Sequence, residues 1–224
     1  MRLVVSIDRE APRPHDLVWI EDPEDIVSVS AMPAWATRER LSIAPAVVRR
    51  EAVERGVVPI GLRGRARNER CAAFVNVERI VRCVTPEALA ESRGWLAADD
   101  ALANLPCLRA LAFVAPELDA LQLTWGVTGS VGFALATGVS TLRQDSDLDL
   151  LLRADRPLPR DGAHALLPSL LSLLQAAPAR IDMQVDTGHG GFALAEWAGQ
   201  SGRVMLKTGR GPLLVADPWA AHAS

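Results

Sequence analysis

Residues 125–152 read WGVTGSVGFALATGVSTLRQDSDLDLLL, and here neighbouring residue types combine into a single chemical proposal. Gly129 and Ser130 stand between an apolar strand pattern and a helix-compatible run, and an Asp-x-Asp pair, Asp147 and Asp149, follows that run. Alternate side chains of a strand point to the same face. Asp147 and Asp149 are therefore expected side by side, with Leu148, Leu150 and Leu152 packing the other way. Two carboxylates this close repel unless a cation lies between them. Magnesium suits the position, because it is usually held by one or two carboxylates together with substrate phosphates. Gly129 completes the pattern: lacking a side chain, it lets the amides at the start of the following helix approach a phosphate oxygen. A calcium loop over Asp145, Asp147 and Asp149 is excluded. Leu150 stands where that loop requires glycine, and Arg156 where it requires the closing acid.

Outward from this core, Gln122 to Val127 is the strand that feeds the Gly129–Ser130 turn. Downstream, Ala163, Leu166, Leu167, Leu170, Leu171 and Leu174 recur at helical spacing on one face, with Pro168 delaying or kinking that helix. Then RIDMQVD, 180–186, alternates apolar Ile181, Met183 and Val185 with polar Asp182, Gln184 and Asp186. A strand presenting Asp182 beside Asp147 and Asp149 supplies a third carboxylate for a two-metal phosphoryl-transfer site; Asp186, on the same face, is the other candidate. His189 to Gly191 is a turn, and Trp197 is a core residue. Lys207 and Arg210, near Gly209 and Gly211, form a candidate polyphosphate clamp.

Upstream, His15 and Asp16 in RPHDLVWI bond locally or cap, ahead of an apolar strand. Ala44–Val48 and Val57–Leu62 are further strands, the second marked as an edge by Pro59. From Ala44 to Arg82 there are nine arginines against four glutamates. Arg49, Arg50 and Arg63, with RGRAR at 63–67, are candidates for gripping an anion, since the arginine fork matches phosphate bidentately. Thr85 and Pro86 open a helix that is interrupted near Gly94. Periodicity weakens over 104–120, where Pro106 and Pro116 intervene, and a domain boundary is expected there. The fold class is α+β: an α/β N-terminal domain, 1–115, and a C-terminal domain, 116–224, with helices on a mixed sheet.

At 224 residues and a net charge of -3 the chain has the make-up of a soluble globular protein. Nothing in its bulk charge points to nucleic acid. The apolar run in MRLVVSIDREA is too short for a signal peptide, and no stretch is long enough to span a membrane, so the cytoplasm is the expected compartment. Cys71, Cys83 and Cys107 are widely spaced, which argues against zinc and a disulfide framework. Lys207 is the only lysine.

These segments together resemble one family. RPHDLVW at 13–19, PAVVRR at 45–50, PIGLRG at 59–64, VTPE at 84–87, WGVTGSVGFALAT at 125–137, DSDLDLLLRA at 145–154, DMQVDT at 182–187, FALAEW at 192–197 and LKTGRGP at 206–212 look like the malonate decarboxylase holo-acyl-carrier-protein synthases, the phosphoribosyl-dephospho-CoA transferases. The Gly-Ser and Asp-x-Asp elements alone belong to a broad nucleotidyltransferase superfamily; the arginine-bearing N-terminal segments narrow the likeness. The resemblance implies a nucleotidyltransferase-like C-terminal domain. It also implies transfer of phosphoribosyl-dephospho-CoA from 2'-(5''-triphosphoribosyl)-3'-dephospho-CoA to a serine of the apo acyl-carrier subunit of malonate decarboxylase, with loss of pyrophosphate. On that reading Asp147, Asp149 and Asp182 hold Mg2+ and act catalytically. Gly129, Ser130, Lys207, Arg210, Arg49, Arg50 and Arg63 bind donor or carrier. The alternatives are another magnesium-dependent nucleotidyltransferase, acting on a protein, small molecule or RNA, or a carrier-binding protein without catalysis.

Overall fold

The computed structural model describes residues 11–66, 68–139, 142–159, 166–199 and 201–220. The opening MRLVVSIDRE, Arg67 and Ala163 lie outside the described residues. The chain divides into two units between Thr85 and Pro86. The boundary expected at 115/116 falls instead inside a 15-residue helix, Pro106–Ala120. Two prolines misdirect the reading there. Pro106 occupies the first turn, where its missing N–H is not needed. Pro116 is carried within a helix whose Cys107, Leu108, Ala110, Leu111, Val114, Ala115 and Leu118 are all buried.

The first unit contains β1 (Leu17–Ile20), β2 (Val27–Ser28), α1 (Arg38–Ile43), β3 (Ala46–Val48), β4 (Val57–Arg63), β5 (Arg70–Asn76) and β6 (Ile80–Val84). Its sheet runs β2-β5-β4-β3-β1-β6 with antiparallel neighbours, and the α-helix among its described residues is six residues long. Val18, Ile60 and Ala73 are completely buried in its core. β4 is an interior strand, not the edge that Pro59 suggested. Pro59 sits just beyond the end of β3 and contributes only its carbonyl, which accepts the Arg49 amide at 2.8 Å. The donor it lacks falls where the β3 ladder ends, so no bond inside the ladder is interrupted. The RPHD segment forms a local turn, with the Arg13 amide donating to the buried Asp16 carboxylate at 2.8 Å.

The second unit contains α2 (Pro86–Ser92), α3 (Asp100–Ala103), α4 (Pro106–Ala120), β7 (Thr124–Val127), α5 (Gly129–Thr137), β8 (Leu148–Arg153), α6 (Leu166–Ala176), β9 (Ile181–Asp186), β10 (Gly191–Ala193), α7 (Leu194–Ala198), β11 (Val204–Thr208) and β12 (Gly211–Val215). Its six strands lie in the order β12-β11-β10-β9-β8-β7. Only β8 and β9 are parallel, joined through α6; the other neighbours are antiparallel. The sheet is thus mixed, and helices accompany strands in both units, as α+β requires. Leu148, Leu150 and Leu152 are buried as alternation demands, and Leu151 is buried too, because both faces of a central strand are covered. β7 approaches α2 so closely that a Cβ on Gly126 would lie 2.3 Å from the Pro86 carbonyl carbon. No described helix is long and apolar enough to cross a membrane. The three cysteines form no disulfide; Cys71 and Cys107 are buried, and burial pushes the Cys107 thiol above its ordinary pKa.

Candidate active site

The site grows from strand register. In the parallel β8–β9 pair Asp149 lies directly opposite Asp182, so both carboxylates leave the same face one strand spacing apart, about 4.8 Å. Asp147 precedes β8 by one residue and is half-buried, as are Asp149 and Asp182. Behind them the Thr128 amide donates to the Asp149 carbonyl at 3.0 Å, which ties the β7–α5 turn to the acid-bearing strand. Gly129 takes a φ of +64°, and a Cβ there would fall 1.8 Å from Asp149 Oδ2. Glycine is demanded twice, by the left-handed backbone and by contact with the carboxylate. Gly129 and Ser130 form the first turn of the nine-residue α5.

Arg180, which sequence reading passed over, belongs to this cluster. Its Nη2 donates to Asp182 Oδ1 at 2.9 Å. Its pKa is raised above the ordinary arginine value, first by that hydrogen bond and the charge of Asp182, then by the charges of Asp147 and Asp149. An arginine at the mouth of a strand resembles a surface residue; its position immediately before the IDMQVD alternation was the available signal. Asp149, Arg180, Asp182, Gln184 and Lys207 line one cleft of about 710 Å³, walled elsewhere by residues of α6, the 177–179 turn and the start of α7. That volume lies in the roughly 300–1,000 Å³ range of small-molecule sites.

Other expected residues fall elsewhere. Asp186 is not a free third acid. It is buried in an ion-paired group in which Arg153 Nε donates to Glu87 Oε1 at 2.7 Å and Arg153 Nη1 to Asp186 Oδ2, and its Oδ1 accepts the Gly188 amide at 3.1 Å. Arg210 occupies the two-residue turn between β11 and β12, its amide donating to Thr208 Oγ1 at 3.2 Å, and is not a cleft-lining residue. Arg49, Arg50 and Arg63 belong to the first unit. Arg49 Nη2 lies 2.7 Å from Glu51 Oε2, and Arg63 ends β4 opposite Arg70. His189 is an exposed turn residue, and Trp197 is core, packed on Phe192 and Trp219.

Among the described residues no group of three or more His, Cys, Asp or Glu side chains is placed to hold a metal ion. The three-carboxylate set of Asp147, Asp149 and Asp182 is therefore not preassembled, because Asp182 is turned to Arg180. The donor chemistry still fits magnesium, for which two carboxylates suffice when substrate phosphates complete the shell.

Paired carboxylates, a glycine turn at a helix start and flanking cations define a site suited to phosphate esters. The comparisons narrow that class. Residues 13–86 match the phosphoribosyl-dephospho-CoA transferase MdcG N-terminal domain, and residues 95–218 the corresponding C-terminal domain. Relatives carrying the name phosphoribosyl-dephospho-CoA transferase include proteins of Pseudomonas putida GB-1, 46% identical over 95% of this chain and 97% of the relative, and Azotobacter vinelandii DJ, 44% identical over 96% and 98%. A third, from Klebsiella pneumoniae 342, is 41% identical over 93% and 96%. The chain belongs to the phosphoribosyl-dephospho-CoA transferase family, a family of transferase enzymes. No solved structure matches it.

Proposed function

We propose that this protein transfers the phosphoribosyl-dephospho-CoA group from 2'-(5''-triphosphoribosyl)-3'-dephospho-CoA to a serine of the apo acyl-carrier subunit of malonate decarboxylase, using a nucleotidyltransferase-like second unit. The observation that carries the reading is the pairing of Asp149 with Asp182 on adjacent strands, against the Gly129 turn, in a chain of this family.

The serine oxygen attacks the phosphorus of the phosphate attached to the ribose, the bond to the β-phosphate breaks, and pyrophosphate leaves. Asp147 and Asp149 would hold Mg2+, which would supply Lewis-acid stabilisation of the phosphoryl oxygens. Asp182 accepts the serine proton, and would be the third carboxylate available to the ion. The α5 amides beginning at Gly129, with Ser130, hold the triphosphate, and Arg180 offsets charge on departing pyrophosphate. Most of the acceleration then comes from positioning and electrostatics. Arg49, Arg50 and Arg63 of the first unit serve an anionic partner, the carrier surface. The reaction runs in the cytoplasm, which cell fractionation tests.

Mass spectrometry of apo carrier mixed with this protein, Mg2+ and donor is the direct test. The expected result is a mass gain equal to the donor less pyrophosphate, on one serine. An unmodified carrier, with labelled ATP or CTP incorporated into another acceptor, would replace this reading with a different nucleotidyltransferase.

A further inference from the structure

The strand register places more than the acids on the cleft face. Gln184 follows Asp182 by two residues on β9, on the same side of the sheet, about 6.6 Å further along. Ala193 lies opposite Gln184 on β10, and Lys207 lies opposite Gly191 on β11. Asp149, Asp182, Gln184, Ala193 and Lys207 thus share one face and line the same cleft. Their order is directional: carboxylates on β8 and β9, then an amide beside a small half-buried side chain, then a single ammonium. Lys207 is two strands away from β9 and level with Asp186, roughly 16 Å from Asp182 by standard sheet spacings. A lysine side chain does not close that gap to a phosphate held at the carboxylates.

The donor has the same order of chemical groups. Its triphosphate-bearing ribose is joined to adenosine, and the adenosine carries a diphosphate on its far side. Resting on the transfer reading above, we propose that the cleft binds the dephospho-CoA moiety as a purine nucleotide diphosphate laid across the sheet. Adenine packs over Ala193 with Gln184 at its N6/N7 edge, a pairing that the glutamine amide makes bidentately. The 5'-diphosphate of dephospho-CoA lies at Lys207, so this lysine is a donor-affinity residue and not a clamp for departing pyrophosphate.

The experiment uses the full chain and two side chains that are not part of the core, with thermal melting to verify folding. Calorimetric binding of dephospho-CoA, AMP, IMP and 4'-phosphopantetheine is measured for wild type, Gln184→Leu and Lys207→Met, followed by transfer kinetics. The expected results are wild-type binding of dephospho-CoA, preference for AMP over IMP, and no competition by phosphopantetheine. Gln184→Leu should weaken dephospho-CoA about tenfold or more and erase the AMP preference. Lys207→Met should weaken dephospho-CoA similarly, leave AMP less affected, and raise donor KM with kcat within about threefold. Wild-type dephospho-CoA affinity in both variants, or a Lys207→Met defect in kcat with KM unchanged, would overturn the inference. Binding is read without turnover, so failure of carrier modification alone counts against the proposed function and not against this seat.

Discussion

Replacing Gly129 with alanine tests the geometry at its tightest point. The new Cβ would lie 1.8 Å from Asp149 Oδ2, whereas ordinary contact begins at 3.4 Å, so turn and carboxylate must part by about 1.6 Å. The backbone adds a second cost: φ is +64°, and an L-residue held there loses roughly 1–2 kcal/mol. That strain is small against a typical domain stability of about 5–15 kcal/mol, so Gly129→Ala should fold and melt only a few degrees lower. Catalysis should suffer far more. A misplacement of about 1 Å at reacting groups costs on the order of 10²-fold, about 2.7 kcal/mol in the barrier. The expected outcome is at least a hundredfold fall in pyrophosphate release per folded enzyme, measured with a coupled pyrophosphatase assay in saturating donor and carrier. Turnover within threefold of wild type, in a protein of unchanged melting temperature, would refute the claim that this glycine sets the acid's position.

Further outcomes follow from other contacts. Asp149→Asn should abolish transfer while leaving the far-ultraviolet dichroism unchanged; retained carrier modification would remove Asp149 from the chemistry. Arg153→Met strands the Glu87 and Asp186 carboxylates in a buried site and should cost about 3–5 kcal/mol, read by urea unfolding; a loss below 1 kcal/mol would show that the pair is solvated. Gly126→Ala forces a Cβ into the Pro86 backbone and should destabilise by about 1–3 kcal/mol with donor KM unchanged. Asp119, hydrogen-bonded by Arg93 and Trp125, is held below its ordinary value, Arg93 being the larger cause. A depressed folded-state pKa adds stability above the unfolded value that is lost as pH falls through the folded one. Arg93→Ala should therefore cost stability at neutral pH, and part of that gap should close below about pH 3.8 in acid unfolding. The remainder, from the Arg93 contacts with Trp95 and Trp125, should not titrate.

The second unit was legible where a local pattern has one meaning. The glycine turn, α5, the Asp-x-Asp strand and the 181–186 alternation each follow from periodicity and backbone sterics over a few residues. The choice between Asp182 and Asp186 was not legible, because both share a face. What separates them is Arg153, a residue on a different strand whose guanidinium pairs with Asp186, while Asp182 lines the cleft. The break expected over 104–120 failed because burial of a seven-residue apolar stripe outweighs the interruption caused by Pro116. Arg180 escaped notice because its significance is electrostatic and depends on three carboxylates that the fold brings within range of its charge. Pro59 misled for a related reason: the rule about edges concerns a missing donor, and here that donor falls at the end of β3, where the ladder stops and nothing inside it is interrupted.

The opposition of Asp149 and Asp182 has a consequence for how an inactive molecule can arise. A one-residue slip of β9 would turn Ile181 and Met183 toward the cleft and Asp182 toward the leucines of β8, reversing every side chain along the strand. Misalignment of the acids thus entails collapse of the interior. A well-folded but mis-set isomer has no place among the products of refolding, and titrated active sites should equal the fraction of chains that regain native dichroism.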